Sequence, residues 1–174
     1  MQNAHIVSSF DEDLRKMESL LLEMGGLVET QIEDSVTALI QRDVSLSEKV
    51  RKDDKKVDAL ETRIDELAVR LLALRQPMAE DLRTVVCALK VSANLERIGD
   101  YAKNIAKRST VVAQFNPGKT SSNTVKRMGK LVQDMVHDVL DAYTAPDLEI
   151  ANELRLRDEE VDRMHNTMFR ELLT

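Results

Sequence analysis

The sequence predicts an all-α fold of tandem three-helix bundles, the second incomplete, and three observations carry that prediction. The first is composition. Of 174 residues 43% are apolar and 32% charged, with five glycines, three prolines, two tyrosines, three phenylalanines and no tryptophan. Turn formers and aromatics are too few for a sandwich or barrel, whereas interleaved charged and apolar residues suit long amphipathic helices. The second is a hydrophobic period of three and four residues sustained over long segments. The third is an internal repeat: an ungapped shift of 104 residues superposes helical landmarks from both halves of the chain. Length alone allows one domain, or one and a half.

The first segment runs from about Ser9 to Gln41, with Leu14, Met17, Leu21, Met24, Val28, Ile32, Val36 and Leu39 on one stripe. Ser9 and Glu12 have capping-box spacing at its start. Gly25-Gly26 sits mid-segment, where each glycine costs about 1 kcal/mol relative to alanine, so a kink or a close helix approach is expected there. The second segment is the most regular. Val50, Val57, Ile64 and Leu71 repeat every seven residues, with Leu60, Leu67 and Leu74 as the companion series, which is an a/d seam. Asp43 or Ser45 is its cap, and Pro77 ends it. Proline followed by Glu80 and Asp81 restarts a helix, which carries Leu82, Val85, Leu89, Ser92, Leu95, Ala102 and Ile105 inward as far as about Val112. Short connections make these three helices an antiparallel bundle.

Residues 115–122, Phe-Asn-Pro-Gly-Lys-Thr-Ser-Ser, read as the linker between a first bundle at 1–114 and a partial second one at 123–174. A fourth helix is expected from about Asn123 to Tyr143 and a fifth from about Asp147 onward. The repeat pairs Met24-Gly25 with Met128-Gly129, Asp34 with Asp138, Asp43 with Asp147, Asp54 with Asp158 and Asp58 with Asp162. The counterpart of Pro77 would fall beyond the last residue, so the chain reads as a C-terminally truncated copy of a longer protein. Val132, Val136, Leu140, Leu154 and Val161 are then expected to lack their usual cover, leaving the last segment partly disordered or paired with another chain as a homodimer.

Several function classes are excluded at this level. No apolar run reaches the length of a membrane span and the N-terminus lacks a signal-peptide pattern, so a cytoplasmic protein with no direct membrane insertion is expected. A formal charge of −6 argues against nucleic acid as a partner. The lone Cys87 excludes an internal disulfide and a multi-cysteine metal site, and reads as a small buried apolar residue.

Carboxylates carry the chemistry that remains. With Val57 and Leu60 on the seam, Asp54, Asp58, Glu61 and Asp65 form one stripe beside it, at spacings of four and three. Glu96 and Asp100 repeat the arrangement on the third helix, so two neighbouring helices each offer an (E/D)-x-x-x-D pair. Like charges converging in this way call for a cation, and a hard divalent or iron-type metal (Fe, Zn or Mg) is the natural one. The plainer reading is a solvated acidic face with Lys55, Lys56 and Arg97 in weak surface ion pairs. Recurrence of Asp54/Asp58 as Asp158/Asp162 favours metal. Asp134-x-x-His137 and Asp162-x-x-His165 have the spacing of ferritin-like di-iron sites and motivate a rival reading as a metal-dependent redox enzyme, although the accompanying glutamates are missing. His165 occupies the repeat position of Glu61. A third reading is a metal-free helical spacer or interaction protein. There is no phosphate loop, paired nucleophile and base, or H-E-x-x-H motif, and no enzyme is expected.

Residues 95–106, Leu-Glu-Arg-Ile-Gly-Asp-Tyr-Ala-Lys-Asn-Ile-Ala, resemble the PhoU family of bacterial phosphate-signalling regulators. His5 with Phe10-Asp11, Leu22-Glu23-Met24-Gly25, residues 53–58 and residues 74–83 also match its motifs, so the resemblance covers essentially the whole chain. It implies two pseudo-repeated three-helix bundles with metal clusters on (E/D)-x-x-x-D motifs, which carry over to Asp54, Asp58, Glu96, Asp100, Asp158 and Asp162, with Asn104 a weaker candidate. The family's second L-E-R-I-G-D-type motif has no counterpart in this sequence. The resemblance further implies a non-enzymatic negative regulator of phosphate uptake and starvation signalling, with the phosphate ABC transporter ATPase and a sensor histidine kinase as partners.

Overall fold

The computed structural model describes residues 2–75, 79–112 and 119–173, with side chains over 10–74, 79–111 and 122–171. These form five helices, α1 (Gln2–Gln41), α2 (Val44–Arg75), α3 (Ala79–Val112), α4 (Lys119–Thr144) and α5 (Leu148–Leu173), and no strand among the described residues. Pro77 and the first half of the expected linker, 115–118, lie outside the described residues, while 119–122 belong to α4. Helix α1 begins seven residues before Ser9, which is therefore interior to the helix and not its cap. Helix α4 begins at Lys119, four residues earlier than expected, because a run of Thr and Ser carries only a small helix penalty.

The turn between α1 and α2 shows why the first helix stops where it does. Arg42 adopts the left-handed region at φ 60°, and the Asp43 amide donates back to the Ala38 carbonyl at 3.0 Å, closing a Schellman-type terminus. Asp43 then caps α2 through Oδ1, which accepts from the Leu46 amide at 2.9 Å. Asp147, 104 residues on, does the same for α5, accepting from the Glu149 and Ile150 amides at 2.8 and 3.3 Å.

Helices α1, α2 and α3 pack against one another, α4 packs on α1, and α5 packs on α4 alone among the described elements. Ion pairs Lys49–Asp34 and Arg70–Asp13 lie at opposite ends of the α1–α2 contact, as the two-residue turn between antiparallel helices requires. One continuous core draws on Met17, Leu21, Met24, Val28 and Ile32 of α1, Val57, Leu60, Ile64, Leu67 and Leu71 of α2, and Val85, Ala88, Leu95 and Ala102 of α3. Val136 and Leu140 of α4 join it, so α1 covers two residues expected to be left open, while Leu154 and Val161 of α5 are half-buried.

Four residues expected inside are outside. Leu74 is 72% exposed, and Leu82 and Ile105 are also exposed. Leu74 and Leu82 lie at helix ends, where the facing helix no longer covers the stripe, whereas Ile105 lies off the stripe of Ala102, Ala106 and Ser109, which stays buried. Cys87 is exposed as well. It sits two residues from the buried Val85, and on a helix that step turns a side chain to the opposite face.

Glycine brings α1 and α4 together. A Cβ on Gly25 would overlap the side chain of Leu140, and one on Gly129 would lie 2.7 Å from Val36 Cγ2, whereas Gly26 has nothing within 4 Å. Close helix approach, not a kink, is thus the use of Gly25.

Candidate functional site

The two predicted acidic pairs on α2 and α3 meet. The buried Val57 and Leu60 fix the rotation of α2, so that Asp54, one turn earlier, points into the α2–α3 contact and is 4% exposed. Asp58 is exposed and Glu61 half-buried. On α3, Gly99 lets the helices close: a Cβ there would meet Gln31 Oε1 at 2.8 Å, Val57 Cγ1 at 3.5 Å and Asp54 Oδ1 at 3.8 Å. That approach sets Glu96 and Asp100 opposite Asp54 and Asp58.

Lys103 joins the two motifs. Its Nζ donates to Asp54 Oδ2 at 2.5 Å and also to Asp100 Oδ1. The two hydrogen bonds, to Asp100 and then Asp54, hold the ammonium well above the ordinary lysine value. The remaining carboxyls are pushed the other way. Partial burial first, then the charge of Asp54, raises Asp58, which Lys103 only partly offsets. Burial, then Glu96, Asp65 and Asp58, raises Glu61. Burial, then Asp100 and Asp58, raises Glu96. The site therefore retains net negative charge around a single bridging ammonium.

A polar group that the sequence did not single out borders this site. Gln31 of α1 is 3% exposed, and both its amide nitrogen and its oxygen are buried without a hydrogen-bond partner. An orphaned buried carboxamide is costly and rare. This one lies over Gly99, beside Asp54. Its only signal in the sequence is a glutamine beside the apolar stripe, one residue before Ile32.

The other candidates are placed apart. Asp158 and Asp162 are exposed on α5, and Asp158 borders a shallow surface cleft with Met135, Leu154, Arg155 and Glu159. Asn104 is exposed. Lys56 pairs with Asp53 at 2.7 Å, and the Arg97 guanidinium lies 5.8 Å from the Tyr101 ring centre. Of the two D-x-x-H pairs, Asp134 is engaged by Lys130 at 2.6 Å while His137 faces Glu29 and Asp141. His165 stacks on Phe169 with centroids 6.4 Å apart. Among the described residues no group of three or more His, Cys, Asp or Glu is arranged to hold one metal ion; between Asp54 and Asp100 stands the Lys103 ammonium.

A cation nevertheless suits the donor set on α2 and α3. Asp54 and Asp100 converge on one point, and over Gly99, beside Asp54, an oxygen donor on Gln31 is buried and unused.

Fold and site together define an all-helical protein, built on a repeated bundle and carrying an acidic face bridged by one lysine. The PhoU domain family matches residues 21–109 and 125–174, and the chain belongs to that family. It is 47% identical over 170 residues, 98% of its length and 74% of the relative's, to a protein of Caulobacter vibrioides named "Phosphate-specific transport system accessory protein PhoU homolog". A protein of Rhizobium meliloti with the same name is 42% identical over 174 residues, covering 73% of that relative. Among solved structures, PhoU from Pseudomonas aeruginosa superposes with a TM-score of 0.89 at 40% identity, over 94% of this chain and 78% of the other. PhoU from Streptococcus pneumoniae gives 0.86 at 27% identity, over 94% and 77%.

Proposed function

We propose that this protein is an accessory regulator of a phosphate-specific transport system. In this reading it is a non-enzymatic, cytoplasmic protein that restrains phosphate uptake and starvation signalling when phosphate is plentiful. It does so by coupling the transporter's ATPase to a sensor histidine kinase, and it works as a homodimer. The observation that carries the reading is the match, over nearly the whole chain, to relatives named as accessory proteins of that transport system. Two further facts are compatible with it. No helix among the described residues is long and apolar enough to cross a membrane. The acidic α2–α3 face presents the exposed carboxylate of Asp58 to solvent, beside the half-buried Glu61.

Asp54, Asp58, Glu96 and Asp100 would hold a divalent or iron-type cation on that face, and Asp158 with Asp162 would offer a second carboxylate pair on α5. When bound, such an ion supplies neutralisation of converging carboxylates. The residues of the chain do the rest: Gly99 sets the helix spacing, and Asp54 and Asp100 fix the position of the charge.

A pull-down against the transporter ATPase and the sensor kinase, at high and low phosphate, tests the reading. Capture of at least one partner, stronger at high phosphate, is expected. Failure to capture either at both phosphate levels rejects it.

A further inference from the structure

We propose that Lys103 is a tethered cation that occupies the acidic site between α2 and α3, and that a divalent cation enters by displacing its ammonium and recruiting the buried carboxamide of Gln31. The inference rests on the cation reading of the acidic face given above and adds how that site is gated.

Three observations carry it. First, a cation already stands between the motifs. Lys103 Nζ lies 2.5 Å from Asp54 and is also bonded to Asp100, so it links residues 49 apart on two helices. Second, one positive charge is too few for the site. Asp54 and Asp100 share the one Lys103 ammonium, two carboxylates to a single positive charge. Third, the site contains an unused oxygen. Gln31 is almost fully buried with no hydrogen-bond partner, and its Oε1 lies with Asp54 Oδ1 over the Cα of Gly99. A divalent ion would satisfy what an ammonium at Asp54 and Asp100 leaves unmet: it brings a second positive charge and accepts a neutral carbonyl ligand.

Displacement has a route. The Lys103 side chain is 33% exposed while its partner Asp54 is 6% exposed, so the lysine can swing into solvent, still protonated, while the aspartate stays. The site is then exchangeable: empty of metal it stays bridged by the ammonium and packed, and its occupancy follows the free cation concentration.

Calorimetric titration with Mn²⁺ alone tests this on the full chain. Lys103→Met should bind roughly tenfold more tightly than the parent, Lys103→Arg no more tightly, and Gln31→Leu in the Lys103→Met background should lose roughly tenfold. Should Lys103→Met fail to fold, the parent protein provides the readout: saturating Mg²⁺ should move the Lys103 ¹³Cε resonance toward its solvent-exposed value. If Asp100→Asn abolishes binding but Lys103→Met binds like the parent and Mg²⁺ leaves the Lys103 resonance in place, gating by Lys103 is overturned and the acidic cation site stands. Absence of binding by both the parent and Lys103→Met overturns both.

Discussion

Gly25 of α1 closes on Leu140 of α4, and 104 residues along, Gly129 of α4 closes on Val36 of α1. Since Gly25 corresponds to Gly129 and Val36 to Leu140 in the repeat, the two contacts are one contact made twice, with the partners exchanged. Equivalent helices therefore cross antiparallel about a pseudo-two-fold axis, the geometry of an isologous interface within one chain. Near the axis Gln133 Nε2 donates to the Glu29 carbonyl at 3.5 Å and to Glu33 Oε2 at 3.3 Å, and Glu29 is itself the repeat position of Gln133.

The glycine pair predicts opposite effects at adjacent positions. Gly26→Ala touches nothing and should stabilise by about 1 kcal/mol through helix propensity. Gly25→Ala meets the buried Leu140, and overpacking of about 1–3 kcal/mol should cancel or exceed the same gain. Gly129→Ala should cost more, because the branched Val36 cannot rotate its methyls away. Urea unfolding of the three variants, with Gly25→Ala repeated in a Leu140→Ala background, measures the coupling; full additivity would show that Gly25 does not hold the crossing.

Lys103→Met leaves Asp54 buried without its partner. In chelator it should cost about 3 kcal/mol, and most of that loss should return in the Asp54→Asn/Lys103→Met double variant. Equal stability of the single and double variants in denaturant melts would show that the pair contributes no coupling.

Gln31→Leu removes two unsatisfied buried polar atoms at similar volume. In chelator it should stabilise by about 1–2 kcal/mol. A loss of stability would mean that the carboxamide has a partner in solution.

Neutralising a crowded carboxyl should also stabilise the metal-free protein. Asp58 and Glu61 are raised from ordinary values of 3.8 and 4.5, so ionisation penalises the folded state above the folded value and has no effect below those ordinary values. Asp58→Asn and Glu61→Gln should each raise Tm at pH 7 in chelator, and the gain over the parent should fade as the pH approaches 4–5. A gain independent of pH would point to a cause other than charge.

Removing the caps should separate the two units. Asp43→Ala and Asp147→Ala each delete an amide acceptor worth about 1 kcal/mol. Since α5 packs on α4 alone among the described elements, the second loss should appear mainly as faster amide exchange in α5, whereas the first should lower global stability. Equal global losses would contradict that division.

Much of this was legible in the residues. The heptad of α2, Asp43 as one of two candidate caps, the three-helix unit and its 104-residue repeat are local or periodic signals, because a helix imposes 3.6 residues per turn on whatever it buries. The acidic pairs were legible for the same reason, since i,i+4 spacing alone sets them on one face. The fates of Leu74, Leu82, Ile105 and Cys87 were not, because they depend on where the neighbouring helix ends and which way the third helix is turned. The sequence by itself determined the helices, their buried stripes and the family. Only the tertiary structure decided that Lys103 spans Asp54 and Asp100, that Gln31 is sealed over Gly99, and that α1 rather than a third helix covers Val136 and Leu140. Those outcomes depend on distances between residues 49 to 115 positions apart, which helix packing sets and no local period encodes.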